Sequence, residues 1–230
     1  MQGQTILPEM IAAYQNVYRG NSSKAEITLQ VKTPSRERNV TLSLESKGDN
    51  CLVKVNTPVQ DKGVGTLKVA QKIWDYSPKT GKVSPVADSS FLKSWMGSDF
   101  TYDDMFMAGD LEKNYTIQLL PQDPKEPAVR QMKCIVKAGV NSTWPIMLIA
   151  VDPKKMIPVR VRCFDVQRKL LRTVNYRNVT LINGISIPTV IEIIPATKSG
   201  FSSRLLYNSL QNEIPFDDNY FTLTKLRKSN

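Results

Sequence analysis

Apolar and polar side chains alternate with a period of two along most of the chain, a pattern that predicts β-strands. Three consecutive runs show it clearly, separated by turns at residues 33–35 and 47–49. Their apolar positions are Ile27, Leu29, Val31, Val40, Leu42, Leu44, Val53 and Val55. Because a register slip of one residue would turn the whole set outward, we predict that all eight share the concave, buried face of a sheet.

Runs of the same kind continue towards the C-terminus. Strands are predicted at residues 66–70, 73–77, 115–120, 130–138, 157–165, 169–176, 179–182, 185–190 and 203–211. Trp74 and Tyr76 project together, and we add them to the predicted wall of apolar side chains. Asn183-Gly184 predicts a tight hairpin, because both central residues of a type I′ turn need positive φ.

Helical periodicity appears in short stretches only. Residues 8–18 form one amphipathic pattern, and Phe91, Leu92, Trp95 and Met96 form a second stripe between Asp88 and Gly97. Thr101 and Asp104 fit a capping box at the start of a further short helix. The tail at residues 217–226 is predicted to be a short helix or coil.

These elements predict a mainly β protein with a few helices, of the α+β class. The chain has about eleven predicted strands, no βαβ spacing and no internal repeat, so an unclosed, strongly curved antiparallel barrel is the expected architecture. All-β domains of 230 residues commonly form one unit. We therefore expect a single domain spanning residues 1–230.

The composition is that of a globular protein, with 41% hydrophobic and 23% charged residues. The longest apolar stretch, Ile146 to Val151, is far shorter than the roughly 18 residues that indicate a membrane-spanning helix. No leader pattern precedes Gln2, which fits either a cytosolic protein or a mature form to which Met1 was added.

The net charge is +10, and the basic residues are unevenly placed. Eight of them lie between Lys154 and Arg177, opposed by Asp165 alone, whereas residues 98–112 carry five acids and no base. Such a basic face could contact anionic lipid headgroups or an acidic partner, or could be a solvated strand surface. Specific nucleic-acid binding is not expected, because the basic residues have no aromatic side chains interleaved among them.

The residues for common catalytic chemistry are missing. The chain has no histidine, which excludes Ser-His-Asp and Cys-His catalysis and His-ligated zinc. No phosphate-binding glycine loop occurs. The carboxylate pairs Asp103-Asp104 and Asp217-Asp218 are predicted at helix starts, where acids favour the helix dipole. Cys51, Cys134 and Cys163 are predicted to be buried apolar residues, and we expect no catalytic residue, cofactor or metal.

Large apolar groups concentrate on the short segments between the predicted strands. They are Phe91, Leu92, Trp95, Met96, Phe100, Tyr102, Met105, Phe106 and Met107. One interpretation is that they plug the open side of the barrel as core. In the other, this methionine-rich and adaptable lid moves aside to admit acyl chains.

An ordered series of short motifs resembles the outer-membrane lipoprotein-sorting (LolA-like) family. The series comprises Asn56-Thr57-Pro58, Lys62-Gly63, Leu67, Trp74-x-Tyr76-x-Pro78, Ser90-Phe91 and the run from Met96 to Asp104. The run Met96-Gly97-Ser98-Asp99-Phe100-Thr101-Tyr102-Asp103-Asp104 is the most specific part. Arg19-Gly20, Ile214-Pro215, Tyr220-Phe221-Thr222 and Leu226 are similar to that family's flanks.

The resemblance implies a periplasmic, non-enzymatic and monomeric carrier made with a cleaved leader, in which helices cover a hydrophobic cavity. It implies that the ligands are acyl chains of lipoproteins or lipids and that they are delivered towards the outer membrane. It also implies an inner-membrane transporter or an outer-membrane acceptor as partner, and peripheral contact with a membrane. A lipid-sensing or protein-binding envelope module is the alternative. Two or three acyl chains represent roughly 20–30 kcal/mol of burial, at about 0.8 kcal/mol per CH₂, so a carrier needs an extensive apolar interior.

Overall fold

A computed structural model describes residues 6–17, 22–106, 111–140, 142–182 and 184–228. The described residues form four helices: α1 (Ile6–Asn16), α2 (Tyr102–Phe106), α3 (Leu111–Asn114) and α4 (Leu223–Arg227). Short 3-10 turns occupy Val59–Asp61 and Asp88–Ser90. In the described part of the chain, no helix has the length and apolar character needed to cross a membrane.

Thirteen strands make up the rest of the regular structure in these described ranges. They are β1 (Ser22–Lys32), β2 (Glu37–Lys47), β3 (Asn50–Thr57), β4 (Gly65–Val69), β5 (Lys72–Ser77), β6 (Lys82–Pro85), β7 (Tyr115–Leu119), β8 (Arg130–Val136), β9 (Ile146–Asp152), β10 (Ile157–Phe164), β11 (Leu170–Ile182), β12 (Ile185–Pro195) and β13 (Ser202–Asn212). Their order in the sheet is β6-β5-β4-β3-β2-β1-β13-β12-β11-β10-β9-β8-β7.

This order is linear, so the mainly β, unclosed antiparallel sheet expected from the sequence is confirmed. The number of strands is somewhat larger than predicted. Two strands, β6 and β9, were not predicted, and the predicted strands 169–176 and 179–182 are one strand, β11. The apolar run of β9 lacks alternation because Met147, Ala150 and Val151 are all buried, which places buried side chains on both faces of this strand.

The contacts group the chain into two compact units. The lid unit comprises residues 19–107 and 204–230, and the hairpin unit comprises residues 1–18 and 108–203. The expectation of a single domain over residues 1–230 stays a prediction.

In the lid unit, the register of β1, β2 and β3 places the eight predicted apolar residues on one face. Ile27 pairs with Leu42, which pairs with Val55, while Leu44 pairs with Val53. Six of the eight are buried, with exposures between 0% and 3%, and Val31 and Leu44 are half-buried. The predicted sharing of one face is therefore confirmed.

The opposite face of β3 and β4 is covered by the C-terminal segment. Leu52 and Leu67 form a buried cluster with Phe221 and Leu226. Phe216 and Tyr220 pack against this cluster, together with Val69, Trp74, Tyr76 and Val83. Thr222 caps α4 by accepting a hydrogen bond from the backbone N–H of Lys225 at 3.1 Å. The sheet of the lid unit is thus apolar on both faces at β3.

A buried lysine lies on this second face. Lys54 is 3% exposed, and its Nζ donates a hydrogen bond to the backbone carbonyl of Lys228. Burial, reinforced by the nearby charge of Lys225, lowers the pKa of Lys54 from its ordinary value, while Glu45 acts in the opposite direction. The carbonyl just after α4 therefore solvates a charge that the sheet would otherwise bury without a partner.

The core of the hairpin unit is a row of apolar side chains that crosses five neighbouring strands. Met132, Ile149, Val161, Val174 and Ile193 are paired in succession from β8 to β12, and all are buried. Helix α1 lies against β9 and β10, with Met10 and Ile11 buried. Cys134 and Cys163 occupy the adjacent row, fully buried and unbridged.

Gly65 is a point of close approach between α4 and the sheet. A Cβ at this position would lie 2.9 Å from Leu226 Cδ1 and 3.1 Å from the carbonyl oxygen of Val53. We expect Gly65→Ala to lower the free energy of unfolding by about 1–3 kcal/mol through overpacking. Urea denaturation measures this loss.

The double variant Gly65→Ala/Leu226→Ala is the control for Gly65→Ala. Leu226→Ala alone should cost about 2–5 kcal/mol, because Leu226 is fully buried. Removing the Leu226 methyl groups relieves the contact, so the cost of Gly65→Ala should be smaller in that background. Strict additivity of the two losses would contradict the close approach.

Candidate functional site

The candidate site is the face of the lid unit that carries the eight apolar residues of β1 to β3, together with the segment over the next strands. We call residues 88–106 the lid. The same face continues across β4 and β5 through paired residues, from Val53 to Thr66 and from Thr66 to Asp75. It is apolar on β1 to β3 and carries polar groups on β4 and β5.

The grouping of Trp74 and Tyr76 with this wall is wrong. Trp74 pairs with Leu67, which pairs with Leu52, and Tyr76 pairs with Gly65 opposite Lys54. Both aromatic residues therefore lie on the second face, in the cluster under the C-terminal segment. The C-terminal segment that covers this face explains why large apolar side chains occur at these two positions.

The lid is mostly irregular. The helix predicted over residues 91–96 is not formed, because the chain turns after Asp88–Ser90 and closes a loop through a bridge between Ser94 and Thr101. The backbone N–H of Trp95 donates to the carbonyl of Phe100 at 2.7 Å. Met96 and Gly97 both have positive φ, at 53° and 70°. Glycine suits this geometry, whereas Met96 adopts it at a conformational cost.

The predicted capping box is present at α2. The N–H of Thr101 donates to Asp104 Oδ2 at 2.8 Å, and the N–H of Asp104 donates to Thr101 Oγ1 at 3.1 Å. Asp103 and Asp104 lie in the first turn of the helix, as expected. The other predicted pair differs, because Asp217 and Asp218 precede α4 in a separate turn.

Two side-chain hydrogen bonds connect the lid to the sheet, and a third, within the sheet, joins their acceptors. Tyr102 donates its hydroxyl to Asp75 Oδ2 at 2.5 Å, and Trp95 donates its Nε1–H to Thr66 Oγ1 at 3.2 Å. Thr66 in turn donates to Asp75 Oδ1 at 2.7 Å. Trp95 and Thr66 are 1% and 4% exposed. We call these four residues the Asp75 network, since both oxygens of one carboxylate hold it together.

Burial raises the pKa of Tyr102 well above its ordinary value of 10.0, and the hydrogen bond to Asp75 and the charge of that carboxylate act in the same direction. The phenol therefore stays protonated and continues to donate at any physiological pH. This makes the Tyr102–Asp75 contact a charge-assisted hydrogen bond.

Arg38 provides a third connection between sheet and lid. It lies on β2, where it pairs with Val31 of β1, and its guanidinium donates to the backbone carbonyl of Met96. A Cβ built on Gly97 would lie 3.9 Å from the same nitrogen. A cation from the apolar strands thus solvates the carbonyl next to the strained part of the lid.

The predicted lid residues divide by burial. Trp95, Phe100 and Phe106 are buried, and Trp95 and Phe106 pack edge to face with ring centroids 5.7 Å apart. Phe91, Met96, Tyr102 and Met105 are half-buried, and Leu92 is 39% exposed. Met107 lies outside the described residues. The ligand-binding role assigned to the lid and to the wall stays a prediction.

The remaining candidate chemistry is accounted for by local contacts. Asp218 forms an ion pair with Lys47 at 2.8 Å, and the hydrogen bond from Lys47 lowers the pKa of its carboxyl. Burial raises the pKa of the Cys134 thiol to about 12, so this sulfur is unreactive. Within the described residues, no group of three or more Cys, Asp or Glu side chains could hold a metal ion.

Residues of the basic segment 154–177 have diverse surroundings in the hairpin unit. Arg160 pairs with Glu126 at 2.7 Å, and Arg177 pairs with Glu192 at 3.4 Å. Arg172 is buried, with its guanidinium carbon 3.6 Å from the ring centroid of Trp144. The segment is therefore partly neutralised and partly packed as structure.

A model of a family described as "Uncharacterized protein" matches residues 47–228 of the chain. The chain belongs to this family. The match includes strands β3 to β13, the lid and α4. A search of curated proteins finds no sequence match.

Solved structures share the fold over nearly the whole chain. An outer membrane lipoprotein-sorting protein domain from Vibrio parahaemolyticus is 19% identical, with a TM-score of 0.83 and 97% of each chain covered. A LolA superfamily protein from Nitrosomonas europaea is 21% identical, with a TM-score of 0.78, covering 97% of this chain and 99% of the other. A DUF1329 family protein from Desulfovibrio piger is 16% identical, with a TM-score of 0.83 and coverages of 97% and 98%. The chain thus has the LolA-like fold, and the resemblance noted in the sequence is confirmed.

The sequence did not indicate Arg38, Thr66 or Asp75 as site residues. In β4 and β5 the polar residues Thr66 and Asp75 alternate with the larger apolar groups Leu67 and Trp74, a pattern that is typical of a solvated face. The signal that could have revealed them is the aromatic tail Phe216 to Phe221, which needs an apolar surface to cover.

Tyr102→Phe should detach one lid contact without changing the packing volume. We expect a loss of about 1–2 kcal/mol in the free energy of unfolding, because a charge-assisted hydrogen bond is removed from a half-buried site. Tyr76→Phe is the matched control, since it deletes a hydroxyl on the opposite face. Equal losses for both variants would contradict the Asp75 network.

The contribution of Tyr102 should also depend on pH. Its pKa is raised in the folded state, so its stabilisation is fully present below pH 10 and is lost as the pH rises above that value, where the unfolded chain ionises first. The stability difference between the parent and Tyr102→Phe should shrink between about pH 8 and about pH 11. Urea midpoints at both pH values test this, and a constant difference would contradict it.

Proposed function

We propose that the chain is a non-enzymatic periplasmic carrier that binds the acyl chains of lipoproteins or lipids and transfers them towards the outer membrane. Three features support this proposal: the LolA-like fold, the continuous apolar face of β1 to β3, and the aromatic and methionine-rich lid. The ligand would contact the wall residues Ile27, Leu29, Val31, Val40, Leu42, Leu44, Val53 and Val55.

The observation that carries the proposal is the way in which the lid is held. Its attachment uses hydrogen bonds from Tyr102, Trp95 and Arg38 rather than apolar packing alone. Each such bond contributes only about 0.5–3 kcal/mol net, because water replaces it when the lid lifts. A polar attachment over an apolar face is suited to reversible opening.

The energetics of exchange follow from this arrangement. Ile27, Leu29, Val40 and Leu42 are fully buried, so a ligand gains access only by displacing what covers them. The burial of acyl CH₂ groups, about 0.8 kcal/mol each, would replace lost contacts of the lid aromatics. Loading and unloading would then be close to balanced, as a carrier requires.

The second candidate function is a lipid-sensing or protein-binding envelope module. It is favoured by exposed aliphatic side chains near one hairpin, among them Leu181 at 69% and Ile185 at 57%. In either case we expect a monomer that meets an inner-membrane transporter or an outer-membrane acceptor. No cofactor is part of the proposal.

Trp95→Ala distinguishes a mobile lid from plain core. As an ordinary core truncation it should cost about 3–5 kcal/mol of stability with no effect on ligand. For a carrier we expect a smaller loss, because part of the burial is exchanged on opening, and a change of at least about fivefold in affinity for a fluorescent long-chain fatty acid. Val59→Ala, which truncates an exposed side chain outside the lid and the wall, is the control and should leave both quantities nearly unchanged.

Native mass spectrometry of the protein purified from its own periplasm supplies the second measurement. A bound species with the mass of a lipid or lipoprotein supports the carrier. Full destabilisation by Trp95→Ala, with no fatty acid bound by parent or variant, would overturn the proposal in favour of the binding module.

A further inference from the structure

The hairpin of β11 and β12 extends beyond its neighbour β10. Pairing between β10 and β11 runs from Phe164 with Leu170 to Arg160 with Asn175. Pairing between β11 and β12 continues further, from Tyr176 with Ile191 to Ile182 with Ile185. We call residues 176–182 and 184–191 the arm; Asn183, between them, lies outside the described residues.

The β11 side of the arm is exposed on both of its faces. Residues 177–181 are all exposed, although successive side chains of a strand point to opposite faces. Near the end of the arm, Val179 is 41%, Leu181 is 69% and Ile185 is 57% exposed. These are three of the nine large exposed hydrophobic side chains among the described residues, and they lie within a span of seven residues. The register places Val179 and Leu181 on one face of the hairpin and Ile185 on the other.

The arm carries a single charge, and it is positive. Residues 176–191 have no acidic residue and one basic residue, Arg177. Arg177 lies at the start of the arm with its side chain 60% exposed, and its partner Glu192 follows the arm. The arm thus has aliphatic side chains at its end and the cation Arg177 at its start. This arrangement is complementary to a surface whose outer layer is anionic and whose interior is apolar.

We propose that the end of the arm inserts Leu181, Ile185 and Val179 into the acyl layer of a bilayer that contains anionic lipid, with Arg177 at the headgroup level. This inference rests on the proposed carrier function, for which a membrane contact would place the chain beside its ligand. It adds a membrane-binding site that is separate from the ligand-binding face.

The dimensions of the arm are compatible with this placement. A strand rises about 3.3 Å per residue, so Leu181 lies about 13 Å along β11 from Arg177. Shallow interfacial elements bury their apolar side chains about 5–10 Å into the boundary between headgroups and acyl chains. The aliphatic end therefore reaches the acyl boundary when Arg177 meets the phosphates.

The test is flotation of the full chain with vesicles of phosphatidylethanolamine containing about 30% phosphatidylglycerol, the anionic lipid that supplies the surface potential. Leu181→Asp/Ile185→Asp should weaken binding by at least about tenfold, because burial of one aliphatic side chain corresponds to one or two tenfold steps in affinity. The milder pair Leu181→Thr/Ile185→Thr keeps the strand propensity of both positions and should give an intermediate loss.

Val166→Asp is the matched control. Val166 is 68% exposed, in the turn at the opposite end of β11 and next to the basic Arg168 and Lys169. This variant introduces one acid of the same kind and should bind vesicles within about twofold of the parent, because no aliphatic insertion is lost. Circular dichroism and the urea midpoint check that each variant is folded.

The outcomes separate this inference from the carrier proposal. The membrane contact would be overturned if the folded variant Leu181→Thr/Ile185→Thr bound vesicles as well as the parent does. It would also be overturned if Val166→Asp lost as much vesicle binding as the arm variants, and the arm would then be a surface for a protein partner. If the parent fails to bind vesicles yet still binds the fluorescent fatty acid, the arm is overturned and the carrier stands. If the arm variants lose vesicle binding and the parent binds no fatty acid, the membrane contact of the arm is supported and the carrier function is overturned.

Discussion

The carboxylate of Asp75 is the contact on which the site of the lid unit depends. One oxygen accepts from Tyr102 of the lid, and the other accepts from Thr66, whose own oxygen receives the indole N–H of Trp95. A half-buried carboxylate requires such donors, since an unpaired charge there would cost several kcal/mol. The positions of Tyr102 and Trp95 in the lid thus follow from satisfying one acidic group on β5.

The second constraint is that β3, β4 and β5 bury side chains on both faces. A strand with two covered faces has no solvent-exposed side, so its sequence does not indicate which residues point to which face. On β5 the aromatic residues turn to the C-terminal cover, and the smaller polar Asp75 turns to the lid. The close approach of Leu226 to Gly65 and the carbonyl that Lys54 contacts belong to this cover.

Local patterns in the sequence predicted much of the fold and only part of the site. Alternation located Ile27 to Val55 on one face, and the capping box at Thr101 and Asp104 and the hairpin after Ile182 were found from spacing alone. These features depend on residues close together in the chain. Trp74 and Tyr76 were misplaced because their cover comes from residues about 140 positions later. The stripe at residues 91–96 was predicted to be a helix from the spacing of its apolar residues. The helix does not form because a bridge between Ser94 and Thr101 competes with helical hydrogen bonds, and periodicity does not reveal this pairing.

The three tryptophans have three different surroundings, and this gives the chain intrinsic optical reporters. Trp95 is sealed between lid and sheet with its N–H bonded, Trp74 packs under the C-terminal cover, and Trp144 lies against the guanidinium of Arg172. A cation over an indole ring and a hydrogen bond to its nitrogen create distinct electronic surroundings. With Trp74 and Trp144 replaced by Phe, the emission maximum and quenching of Trp95 alone would follow the hydration of the lid in real time, with no attached dye.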